Sequence, residues 1–426
     1  MSADDDRLYY GWKIVAAILV QLTFTSGLSF YNHAIYLNAL AEQPAFDVQS
    51  ASAAVSIFFL SGGITGLFVA RWVQNYDPRI CITGGALLAS VSLSSLPLVS
   101  ALWQLIVVYI FFGAGFAASA LLPATTLITR WFRRRRAMAL SIASTGLSLG
   151  GVVLTPLSVL LVDRFGFGMA APMLGLMFVL GVIPVAWIWL RPNPASMGLQ
   201  IDGEPAPVAD LKGVSGANEN KVHEPGISFA AAIRGKYFWG VSLGYIFLMM
   251  AQVGGIAHQY GLAREQLTDS QTAVAVAIVP VASIVGRLIG GWLVERVSIQ
   301  AFAIVMMILQ ASSLSMLAGG FSIVTLCVGL FMFGASVGNL LMLQPLILAE
   351  AFGVRDYPRI FSVSNLMSSM GTSIGPALLG FAYSSSGNFY AAPYAVAACA
   401  GAVGLALFLW GGKLEHASSL AEVQDS

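Results

Sequence analysis

The sequence is poor in charge, in cysteine and in histidine, and each shortage excludes something. Of its 426 residues only 10% are Asp, Glu, Lys or Arg, against about 25% in soluble domains, so a water-soluble globule is ruled out. The three cysteines, Cys81, Cys327 and Cys399, lie far apart in or beside apolar runs. They have no metal-ligand spacing and read as small hydrophobes rather than as a disulfide framework or a zinc site. No Ser-His-Asp, HExxH or CxxC arrangement occurs, and no carboxylates pair within an apolar run. An enzyme, a metal and a cofactor are therefore not expected. Gly286, Gly290 and Gly291 have no strand pattern before them and no Lys-Ser/Thr after them, which excludes a phosphate loop. Nucleic acid is not expected as a partner.

What the sequence has is apolar length. Hydrophobic residues make up 57% of the chain. Runs able to cross roughly 30 Å of hydrocarbon recur about twelve times, at approximately 12–36, 50–73, 80–99, 103–129, 136–161, 170–190, 237–258, 271–294, 299–318, 322–349, 359–383 and 390–412. Barrel strands would alternate apolar and polar, and these runs do not. The expectation is an all-α membrane protein with twelve transmembrane helices.

The opening MSADDDRLYY carries the wrong charge for a cleavable secretory signal, so residues 1–11 are expected to be a cytoplasmic tail. From that start, nearly every Lys and Arg falls on one side, among them Arg71, Arg79, Arg130, Arg133 to Arg136, Arg191, Arg296 and Lys413, while Arg164 and Arg264 fall on the other. Both termini, including a tail at 413–426, are therefore expected in the cytoplasm of a plasma or inner membrane. A polar stretch at 191–236, rich in Pro, Gly, Asn and Glu, reads as a flexible cytoplasmic linker between six-helix bundles at 12–190 and 237–412. A shift of 221 positions brings ARWVQN at 70–75 onto GWLVER at 291–296, FGAGFA at 112–117 onto FGASVG at 333–338, and Gly150 onto Gly371. Two parallel halves with a cavity between them suit alternating access.

These residues resemble the major facilitator superfamily, whose loops between helices two and three and between eight and nine follow a G-x-L-x-D-R pattern. GWLVER fits, with Glu295 as the acid and Arg296 as the base, whereas the first copy has Ala70, Gln74 and Asn75 in place of Gly, Asp and Arg. The resemblance implies the major facilitator fold, two pseudo-symmetric six-helix bundles, and a cytoplasmic gate at Glu295, Arg296 and Arg79. YYGWKIVAA at 9–17 and RWFRRRRAMALSIASTGLSLGG at 130–151 are similar to the helix-one and helix-five signatures of its monocarboxylate and oxalate/formate porters. The four-residue spacing of Gly146 and Gly150 suits close helix approach.

One basic residue belongs to no loop. Arg287 stands inside VPVASIVGRLIGGWLVERV at 279–297. An Arg at a helix centre costs roughly 2.5 to 3.5 kcal/mol on insertion scales, so it needs a cavity, a counter-charge or carbonyls. Every Asp and Glu lies in a loop, a tail or at a helix end, and Arg287 is thus placed to take a carboxylate from outside the protein, unless backbone carbonyls hold it. In monocarboxylate porters a helix-eight arginine binds the substrate carboxylate, which is the role the resemblance implies here. Ser283 replaces the Asp that eukaryotic members carry one turn earlier, Phe30 replaces their helix-one lysine, and helix eleven lacks the lysine of oxalate carriers. One cation suggests one carboxylate. Further candidates are Phe30 and Tyr31 on helix one and Ser364, Asn365 and Ser368 on helix eleven, which serve either the substrate or helix packing. His33 and His258 are candidates for proton coupling, or else interfacial side chains.

The expected function is a secondary active carrier of small organic monocarboxylates with proton symport. An anion antiporter or efflux carrier, or a receptor on the same scaffold, remains open. The expected partners are an organic acid, a proton and the bilayer, with the chain acting as a monomer.

Overall fold

The computed structural model describes residues 9–132, 135–203, 227–294, 296–319, 322–353 and 356–413. The first crossing is made of α1 (Gly11–Ser26), a five-residue π turn (Gly27–Tyr31) and α2 (His33–Ala41). Then come α3 (Val48–Asn75), α4 (Pro78–Ser95), α5 (Leu102–Ser119), α6 (Leu121–Trp131) and α7 (Arg136–Ile188). The second half holds the one-turn α8 (Phe229–Ala232), then α9 (Lys236–Arg264), α10 (Asp269–Val294), α11 (Ile299–Gly319), α12 (Ile323–Phe352), α13 (Tyr357–Ser385) and α14 (Ala391–Trp410).

Local chemistry sets the ends. Asp47 and Ser50 cap α3 reciprocally, Ser50 N–H donating to Asp47 Oδ1 at 2.8 Å and Asp47 N–H to Ser50 Oγ at 3.0 Å, which satisfies two orphan amides. Pro78 opens α4, where its missing N–H costs nothing.

Ten helical stretches are long and apolar enough to cross a membrane, and twelve crossings result only when two of the helices are read by length. Helix α7 has 53 residues, about 80 Å at 1.5 Å each, more than twice the hydrocarbon thickness. It breaks at Gly166, whose φ of 72° lies where glycine alone is at ease. Helix α13 has 29 residues, long enough to cross, but its serines lower its hydropathy. The expected fourth run is also divided, at Ala120, into α5 and α6.

The halves repeat in three dimensions what they repeat in sequence. A Cβ at Gly113 would collide with the Phe58 carbonyl, joining α5 to α3, and one at Gly334 would collide with the Val279 carbonyl, joining α12 to α10. Both positions of the second pair sit 221 residues after those of the first. Gly146 and Gly150 press α7 onto the backbone of α1 at Leu19 and Thr23, and Gly371 presses α13 onto α9 at Ile246. Glycine permits this approach because nothing separates the two backbones.

Large side chains such as Leu67, Phe68, Val91 and Leu288 point outward, where lipid is the solvent. The ends of the region expected as a flexible linker, 191–203 and 227–236, are described. Ile227 N–H donates to Phe352 O at 3.1 Å and Phe229 N–H to Asp356 Oδ2 at 2.8 Å, so α8 is pinned to the second half. Residues 204–226, Arg133, Arg134 and Glu295 lie outside the described residues.

Gly150→Leu should lower the midpoint of thermal unfolding in detergent, since overpacking costs typically 1–3 kcal/mol. Gly84→Leu, where nothing lies within 4 Å of an added Cβ, should not. Equal midpoints for the two variants would refute the α1–α7 packing.

Candidate functional site

Among the described residues the halves pack together at the face opposite the termini. The chain starts at the terminal face, which carries residues near Tyr9, Arg79, Arg191 and Trp410, and an even number of crossings returns it there. The opposite face holds the turns around Glu42 and Glu265. There α3 packs on α13, with Ser56 Oγ accepting from Ala377 N–H at 2.9 Å and Ser52 lying where a Cβ on Gly380 would fall. Arg264 bonds Glu42 of the first half and lies 3.5 Å from Asp269. Such exposed pairs contribute about 1 kcal/mol or less, so side-chain packing does most of the closing.

Below this seam is a cavity of about 300 Å³ between the halves, lined by Phe30, Tyr31, Phe58, Phe59, Gln252 and Arg287 among others. The π turn brings the first two there. An extra residue in one helical turn shifts the facing of every residue beyond it, and Tyr31 leaves its own half to join the core of the second. Its ring sits against Gly151 of α7, and its hydroxyl is within hydrogen-bond reach of Ser148 and Ser283. Those two serines, 3.3 Å apart, span the halves.

Arg287 is half-buried on the α10 wall. Its Nε–H donates to Gly338 O at 3.1 Å, and Nη1 donates to Ser144 O on α7 at 3.4 Å. The second bond is long and crosses between halves. Among the described residues no carboxylate pairs with Arg287 and Nη2 has no hydrogen bond. The carbonyl alternative is thus realised in part, and the guanidinium still presents donors to the cavity. The shift of 221 sets Gly66 opposite Arg287, so the positive charge belongs to one half alone.

The helix-eleven candidates divide between the two alternatives expected for them. Ser364 and Ser368 are buried outside the cavity, both accepting from Gln344 Nε2, at 2.9 and 2.7 Å, and Ser364 also from Ser242 Oγ at 2.9 Å. They join α9, α12 and α13, which is the packing alternative of the two expected for them. Asn365 is exposed one turn beyond the lining. Ser369 and Thr372 line the cavity instead. Gln252, buried on α9 and also in the lining, was not anticipated, although a lone amide inside MMAQVGG was a readable signal.

Neither histidine lines the cavity. His33 is packed among Phe58, Tyr109 and Phe112, its ring centroid 4.1 Å from that of Phe58, with no hydrogen-bond partner on either nitrogen. His258 Nε2 lies 3.1 Å from Pro376 O and 3.3 Å from Ser52 Oγ. A carbonyl only accepts, so this nitrogen carries the proton, and the imidazole helps join the halves at the closed face.

The expected terminal gate is not assembled among the described residues. Arg79 chelates Asp77, the shortest contact being 2.6 Å, and stacks on Trp187. Burial alone would raise the Asp77 carboxyl, but the hydrogen bonds from Arg79 hold it below the usual carboxylate range. Arg296 stacks on Trp292. Both contacts stay within one half, and Glu295 is not described.

With Cys81, Cys327 and Cys399 replaced, the double variant Ser52→Cys/Gly380→Cys should lose free thiols on mild oxidation, because a Cβ at 380 would overlap that of residue 52 and the small parting of α3 and α13 that relieves the overlap brings the pair to disulfide separation. Full retention of maleimide labelling would mean that the opposite face is not closed.

Comparisons with known proteins fit this geometry. The chain is 26% identical over 349 residues to an MFS-type transporter of Gibberella moniliformis, 79% of this chain and 75% of that one. It is 25% identical over 405 residues to Monocarboxylate transporter 11 of Mus musculus, covering 90% and 83%. A bacterial homolog of the human lysosomal transporter Spinster, solved inward-facing and unoccupied, superposes with a TM-score of 0.69 at 15% identity, covering 95% of this chain and 96% of that one. The Major Facilitator Superfamily model matches residues 19–262 and 238–424. The chain is a multi-pass membrane protein and belongs to the Major Facilitator Superfamily of transporters.

Proposed function

We propose that this transporter is a secondary active carrier of small organic monocarboxylates working by alternating access. The observation that carries the reading is Arg287: a single guanidinium on the wall of a cavity between the halves, bonded to carbonyls and to no carboxylate among the described residues. The likeness to a protein named Monocarboxylate transporter 11 supports it.

The cargo carboxylate takes the Nη1 and Nη2 edge, a bidentate fit that a fixed guanidinium fork provides. To do so it displaces the long bond to Ser144 and frees α10 from α7, where the halves must slide. Pairing also removes the cost of sealing a bare cation away from water, and closure at the terminal face is the result. The basic loops support a cytoplasmic side for that face.

Coupling in this reading is proton symport. Neither His33 nor His258 is in the cavity lining, so the proton route in this reading runs through groups other than the two imidazoles.

Proteoliposomes should accumulate labelled monocarboxylates under an inward proton gradient. Arg287→Lys should lose roughly 10- to 100-fold in apparent affinity, the equivalent of a charge-assisted hydrogen bond of about 1.5–3 kcal/mol, and Arg287→Ala should abolish uptake while eluting as a folded protein. Exchange only in preloaded vesicles would indicate an antiporter, and no flux of any carboxylate a receptor. Unchanged uptake by Arg287→Ala would remove the residue from the mechanism.

A further inference from the structure

The cavity beside Arg287 is larger and more apolar than a small polar acid requires. Its volume of about 300 Å³ corresponds to about ten waters at ~30 Å³ each. Six of its 21 lining residues carry a polar side-chain atom: Ser26, Tyr31, Gln252, Arg287, Ser369 and Thr372. A three-carbon hydroxy acid would neutralise Arg287 and leave Phe30, Phe58, Phe59 and Phe116 facing trapped water, which is unfavourable for apolar surface. Rings are well matched by rings, since edge-to-face contacts add to burial. The lining phenylalanines already use that geometry, Phe58 meeting Phe59 at 90° and Phe30 meeting Phe59 at 79°.

The remaining polar groups have a direction. The Ser369 hydroxyl donates to Asn365 O at 2.9 Å and that of Thr372 to Ser368 O at 3.2 Å, so both turn only lone pairs to the cavity. The Tyr31 hydroxyl lies beside Ser148 and Ser283. Gln252 is 2% exposed, and its Oε1 has no hydrogen-bond partner. A buried acceptor left unmade is costly, and because Gln252 belongs to the cavity wall, a side-chain rotation brings its amide to a donor on what fills the cavity.

We propose that the cargo is a monocarboxylate with a ring-sized apolar body lodged among these phenylalanines, and that Gln252 selects for a hydroxyl or N–H donor on that body. The proposal rests on the carboxylate reading of Arg287 and narrows it from small acids in general to aromatic ones. Charge recognition comes from α10, bulk recognition from the π turn, α3 and α5, and donor recognition from α9.

Equilibrium binding to the purified protein in nanodiscs tests each part, with lactate, phenylacetate and the hydroxyphenylacetate isomers as probes. Phenylacetate should bind at least roughly tenfold more tightly than lactate, because a buried ring side chain is worth that much or more. The best hydroxy isomer should gain a further factor of about 3 to 10 from the hydrogen bond. Gln252→Leu should erase this last gain, so that in the variant no hydroxy isomer binds more tightly than phenylacetate, whereas Arg287→Ala should weaken every acid. Lactate binding as tightly as phenylacetate, with dependence on Arg287 intact, would overturn the aromatic assignment and spare the carboxylate reading. Aromatic binding that survives Arg287→Ala would overturn the carboxylate reading itself. A hydroxyl preference that persists in Gln252→Leu would remove Gln252 from selection, and the wild-type ranking of the acids still decides the aromatic assignment if that variant does not fold.

Discussion

A guanidinium with no carboxylate partner among the described residues, set within an apolar helix, is the constraint around which the central part of this molecule is organised. Arg287 persists at its depth because three things coincide: the bare carbonyl of Gly338, the more distant carbonyl of Ser144, and a cavity that admits polar contents. Each comes from a different place in the sequence. Gly338 exposes its carbonyl because α12 lies directly against α10, a Cβ there being blocked by the Ser283 backbone. Close packing by glycine and solvation of the charge are therefore one arrangement.

The same glycines explain how such a structure moves. Contacts within each half are backbone against backbone, at Gly113 and Gly334 and at Gly150 and Gly371, and a backbone contact has no rotamer through which to yield. The polar contacts between the halves are of another kind: a long hydrogen bond, two serine hydroxyls 3.3 Å apart, an imidazole beside a serine of the other half, and an exposed ion pair. These are individually weak, and side-chain packing at the closed face does the rest. Such an arrangement suits the rocking that alternating access requires.

Hydropathy made much of this legible, because exposure to lipid is recorded along the chain one residue at a time. The repeat could be read because 221 relates pairs of contacting positions, as Phe58 with Gly113 and Val279 with Gly334 demonstrate. Arg287 was conspicuous, being a local anomaly in an apolar run. The helix-eleven serines were not separable by such means. Five serines at 362, 364, 368, 369 and 373 surround α13, and the choice of Ser369 for the cavity and Ser364 for Gln344 is made by the packing of α9 and α12. The isolation of His33 was equally hidden, since its cage is drawn from helices far apart in sequence. The merging of two crossings into α7 depends on Gly166 adopting a conformation that composition does not announce.

The π turn at Gly27–Tyr31 has a consequence for how this transporter diversifies. Each residue of an α-helix turns the chain by about 100°, so one inserted position re-aims everything on its cavity side at once. Loss of a single residue from that turn would swing Phe30 and Tyr31 away from the cavity and bring other side chains of the first crossing to its wall. Selectivity in such a protein can thus drift by changes in count as well as in kind, and alignments scored only for identity at matched columns would pass over the event.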